Sequence, residues 1–78
     1  MGNVIKLSSL AEGDIATVAK VGCNLKLRLR LFEMGFQPGA EITVVKHAPL
    51  KDPWEYLVCG SHVSLRKAEA DVILVEVK

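Results

Sequence analysis

The chain has 78 residues, enough for one small domain and too few for a multidomain machine. Half of its residues are hydrophobic and 24% are charged, which excludes an intrinsically disordered tail. Ten Lys and Arg against nine Asp and Glu leave a net charge of +1, so the broad basic surface expected of a nucleic-acid binder is absent.

Val4-Ile5-Lys6-Leu7 opens the domain, and Glu12-Gly13-Asp14 marks a turn. Ile15 to Val21, with β-branched residues at 15, 17, 18 and 21, reads as the first strand. Gly22-Cys23-Asn24 ends it. Leu25-Lys26-Leu27-Arg28-Leu29-Arg30-Leu31 then alternates with period 2, which by itself specifies a strand. Composition points the other way: from 25 to 34 there is no Val, Ile or Thr, and nearly every residue is a good helix former. Asn24 suits an N-cap, Gly35 suits the left-handed position after a helix, and Pro38 follows. A helix over 24–34 is therefore expected.

At about 100° per residue, Leu25, Leu29 and Phe32 share one face of that helix. Leu27, Leu31 and Met34 share a second, nearly opposite face, with the basic residues between. Such a helix needs cover on both sides, and a domain this small covers one easily. The second face is either a docking surface for a partner or a face covered by a loop or the N-terminal segment.

Gln37-Pro38-Gly39-Ala40 fits a type II turn. Glu41 to Ala48 reads as a strand, Pro49 to Pro53 as a loop, and Trp54 to Cys59 as a strand. Gly60-Ser61 reverses the chain into His62–Leu65. Residues 66–71 form a short helical turn or a loop, and Val72 to Val77 is the last strand. About five strands and one inserted helix suggest a mainly β fold, a small antiparallel barrel closed on itself to remove its edges.

The candidate metal ligands are His47, His62, Cys23 and Cys59. None forms the close pair, such as Cys-x2-Cys, that marks a structural zinc site. No nucleophile elbow, phosphate loop or base-stacking aromatic run is present. The chain is expected to be no enzyme and to bind no nucleic acid. It needs no cofactor, with a weakly held Fe2+ or Zn2+ the one exception left open. Two distant cysteines and the lack of any long apolar run suit a reducing cytoplasm, with no direct insertion into a membrane. Trp54, beside a rigid loop, is either an interface anchor or a plug at one end of the barrel.

Four segments in order then resemble one family. Arg30-Leu31-Phe32-Glu33-Met34-Gly35-Phe36-Gln37-Pro38-Gly39 is similar to the Arg-Leu-x-x-Leu-Gly-apolar-x-Pro-Gly signature of FeoA, the small companion of the bacterial ferrous iron transporter FeoB. Leu10-Ala11-Glu12-Gly13, Ala48-Pro49-Leu50-Lys51-Asp52-Pro53 and Val63-Ser64-Leu65-Arg66-Lys67-Ala68-Glu69-Ala70 resemble its other elements, so the likeness runs from Leu7 to Val77. The resemblance implies one FeoA-type domain over 1–78, an SH3-like barrel with an inserted helix. It also implies a non-enzymatic cytosolic protein that supports ferrous iron uptake by contacting the GTP-hydrolysing part of FeoB, and so sits at the inner face of the membrane through its partner. On that reading, Leu27, Leu31, Met34 and Trp54 would supply apolar contact, and Arg28 and Arg30 would steer it towards an acidic surface. The alternative is a metal-responsive module whose His or Cys residues hold a divalent ion and change its oligomeric state. Self-association stays open on either reading.

Overall fold

The computed structural model describes residues 3–22, 24–47 and 53–77. Its strands are β1 (Val4–Lys6), β2 (Ile15–Val21), β3 (Glu41–Lys46), β4 (Trp54–Val58), β5 (Ser61–Leu65) and β6 (Ile73–Val77). A 3-10 turn at Leu7–Ser9 follows β1, helix α1 (Leu25–Glu33) lies between β2 and β3, and the short helix α2 (Lys67–Ala70) precedes β6.

The strands form one antiparallel sheet in the order β1-β6-β2-β3-β4-β5. Six strands stand where about five were expected. The extra one is β1, whose three residues are too few to show a period. It becomes a strand by pairing with β6, Ile5 opposite Val75. The ladder is also open: among the described residues β1 and β5 end the order and do not pair with each other, so the expected closed barrel is a curled sheet with two edges. Register shifts between Val18 and Lys20 on β2 and between Val44 and Lys46 on β3 supply curvature, because an extra residue on one strand bends it.

Alternation along the strands decides which side faces inward. Ile42 and Val44 on β3, Trp54, Tyr56 and Val58 on β4, and Ile73 and Val75 on β6 all point to one buried face. Leu7, Leu10, Leu31 and Phe36 complete that core, and no polar or charged residue among those described is buried with them. The turns behave as their residues dictate. Ala40 N–H donates to the Gln37 carbonyl at 2.9 Å with Gly39 at φ +94°, the type II geometry that Pro38-Gly39 favours. The β4–β5 reversal runs through Cys59 and Gly60, both at positive φ, as a two-residue hairpin turn of type I′ requires.

The expected strand ends at Ala48 and Cys59 contract to Lys46 and Val58. Ala48 and the Pro49 to Asp52 part of the expected loop, like Cys23, lie outside the described residues.

Candidate docking surface

Helix α1 is built by its caps. The Asn24 side-chain oxygen accepts from Leu27 N–H at 2.8 Å, satisfying one of the free amides of the first turn. At the other end Gly35, at φ +108°, donates to the Phe32 carbonyl at 3.0 Å, and Phe36 N–H donates to the Leu31 carbonyl at 3.0 Å. These two bonds form a Schellman motif. It stops the helix and turns the chain towards the sheet.

The caps also fix which face is inside. Leu31 is fully buried, and Leu27 and Met34 are half-buried against the core. This is the face that the sequence left open as a docking surface, and the sheet covers it. The opposite face carries the exposed apolar residues: Leu25 is 64% and Leu29 51% accessible, with Phe32 half-buried at the margin. The two leucines were missed as surface residues because both faces are equally apolar in sequence. The signal that separates them is the cap. A Schellman motif brings the apolar residue after the glycine towards the helix residue five before it, here Phe36 towards Leu31, and so points Leu31 inward.

The basic residues stay outside. Lys26, Arg28 and Arg30 are exposed, and an Arg30 nitrogen lies 3.9 Å from the Glu69 carboxylate, which sets the middle of α1 near α2. At the C-terminal end, Gly35 lies close to Val58 and Cys59 at the end of β4. Trp54 is nearly fully buried, with its ring edge-on to His47 at 4.0 Å between centroids, so it plugs the core and offers little to a partner.

The other candidate ligands are dispersed. His62 Nδ1 meets a Glu55 carboxylate oxygen at 2.8 Å on the outer side of β4 and β5. His47 donates its backbone N–H to Glu12 at 3.0 Å, and Cys59 Sγ sits 3.8 Å from the Gly35 carbonyl. Among the described residues no three His, Cys, Asp or Glu side chains are grouped to hold a metal ion. Their helices include none long and apolar enough to cross a membrane.

The overall fold is shared with solved structures of FeoA-type proteins. The structure of zinc-complexed FeoA from Stenotrophomonas maltophilia, described as a procaryotic SH3 domain protein, aligns with a TM-score of 0.81 and 31% identity, covering 91% of this chain and 88% of the other. Iron(II) transport protein A from Clostridium thermocellum aligns with a TM-score of 0.87 and 42% identity, covering 94% and 45%. The FeoA domain model matches residues 5–77, and the chain belongs to the FeoA family. It is also 44% identical, over 72 residues, to the Fe(2+) transport protein A/Fe(2+) transporter FeoB fusion protein of Porphyromonas gingivalis (strain ATCC BAA-308 / W83). That alignment covers 92% of this chain and 8% of the relative's length.

Proposed function

We propose that this chain is a non-enzymatic accessory protein of bacterial ferrous iron uptake that docks on the cytosolic, GTP-hydrolysing part of a FeoB-type transporter. The observation that carries the reading is the Porphyromonas gingivalis relative, in which a FeoA-type segment and a FeoB transporter are parts of one polypeptide. Covalent fusion raises the effective concentration of two modules for each other, and two partners that already associate gain from it. The exposed Arg28 and Arg30 supply a positive flank that steers the encounter with an acidic surface. Once bound, the domain changes the partner's nucleotide cycle or gate only through a preference for one of the partner's states.

The test is a titration of the full chain against the full-length FeoB-type transporter of the same organism in lipid nanodiscs, with and without a GTP analogue. Saturable binding that differs between nucleotide states supports the docking role. Absence of binding in every nucleotide state, with no change in GTP hydrolysis, removes it.

A further inference from the structure

The docking reading leaves open which surface makes contact, and the structure places an unusual feature on α1. Leu25 and Leu29 are four residues apart, hence neighbours on the helix surface, and both are more than half exposed. The other exposed large apolar residues described, Val4, Ile15 and Val45, lie one each on the strands β1, β2 and β3 and none on a helix. With Phe32 at its margin, the leucine pair follows the i, i+4, i+7 pattern of a helix that lies in a groove, within about 60° of arc.

Charge says what that groove looks like. Three of the chain's ten basic residues, Lys26, Arg28 and Arg30, lie in the nine residues of α1 against one acid, Glu33. By the same helical geometry Arg28 falls on one flank of the leucine stripe and Lys26 on the other, beside Arg30, whose guanidinium lies 3.9 Å from the Glu69 carboxylate of this chain. Elsewhere the chain has seven basic and eight acidic residues, close to balance, so the positive flanks of α1 call for a partner more acidic than a second copy is overall. A bilayer is a poor match as well, because the apolar arc is narrow, the helix has only nine residues, and Trp54 is buried.

We propose that the outer stripe of α1, Leu25 and Leu29 bordered by Phe32, enters an apolar groove rimmed by carboxylates on the cytosolic part of the FeoB-type transporter. This rests on the docking reading above and assigns its contact face. Leu27, Leu31 and Met34 hold the helix to its own sheet, so the leucine stripe and its basic flanks are what a partner meets.

The experiment compares the wild-type chain, the Leu25→Ser/Leu29→Ser double variant, Lys26→Glu and the control Ile15→Ser. Each is titrated against the full-length transporter in nanodiscs and against empty nanodiscs of the same lipids. Circular dichroism checks folding, and sedimentation reports self-association. The double variant is expected to bind the transporter about tenfold or more weakly. Lys26→Glu should also weaken binding and flatten its dependence on salt, while Ile15→Ser should bind as the wild type does. A folded double variant with wild-type affinity overturns this face while leaving the docking role intact. No binding by the wild type overturns both. Equal, leucine-dependent binding to empty nanodiscs, or self-association lost only in the double variant, overturns the transporter groove in favour of a lipid surface or a second copy.

Discussion

Phe36 donates its backbone N–H to the Leu31 carbonyl at 3.0 Å, and both side chains are fully buried in the same core. One backbone bond therefore stops α1, orients it and directs the following chain to the sheet. The glycine between them makes this possible: Gly35 at φ +108° holds a conformation that L side chains rarely adopt.

Gly35→Ala is accordingly expected to destabilise the fold by about 1–3 kcal/mol. Its added Cβ would lie 3.4 Å from Cys59 Sγ and 3.6 Å from the Val58 methyls, ordinary contact distances, so the cost is one of backbone conformation. Urea unfolding measures the loss. A variant as stable as the wild type would show that the helix end tolerates another conformation.

The two faces of α1 should respond oppositely to truncation. Leu31→Ala, at a fully buried site, is expected to cost about 2–5 kcal/mol. Leu29→Ala, at a half-exposed site, should change stability by no more than about 0.5 kcal/mol. Equal losses in denaturant titrations would contradict the inward orientation of Leu31.

The N-terminal cap of the same helix has its own test. Asn24→Ala removes the acceptor for Leu27 N–H and should cost about 1 kcal/mol, whereas Asn24→Asp should retain most of the stability. Equal stability of all three chains would mean that water replaces the side chain at no cost.

Acid stability should depend on a contact between the start of the chain and α2. The Ser8 hydroxyl donates to Asp71, whose other carboxylate oxygen accepts from Lys67 Nζ at 3.2 Å. The Ser8 hydrogen bond first, and then Lys67, holds the Asp71 carboxyl below its ordinary value. A depressed carboxyl pKa stabilises the fold above its unfolded value of about 4, and that contribution fades as pH falls through the lower folded value. Ser8→Ala should therefore be less stable at neutral pH, with the gap to wild type narrowing below about pH 4. A gap independent of pH would sink this assignment.

Much of the fold was legible because local chemistry and tertiary structure agree. The Pro38-Gly39 turn and the strand from Ile15 to Val21 appear as their residues indicate. The helix appears despite strict alternation, since Asn24 and Gly35 cap a run without β-branched residues. The strand β1 was not legible, because three residues become a strand only when β6 pairs with them. Closure was over-read: turn signals mark where a strand ends, while the pairing of the two end strands is a tertiary outcome. The leucine stripe was hidden by symmetry. Six apolar residues divide evenly between two faces, and only the placement of Phe36 says which three the sheet covers.

The pairing of β1 with β6 sets Val4 opposite Glu76, and Val77 N–H donates to the Asn3 carbonyl at 3.0 Å. Entry and exit of the fold thus share one doorway. A tether joined ahead of Asn3 or behind Val77 would start from nearly the same point, so either order of fusion would ask a linker to bridge a similar distance to the same partner. Such a fold can be coupled to a larger protein from either side without rearranging how it is presented.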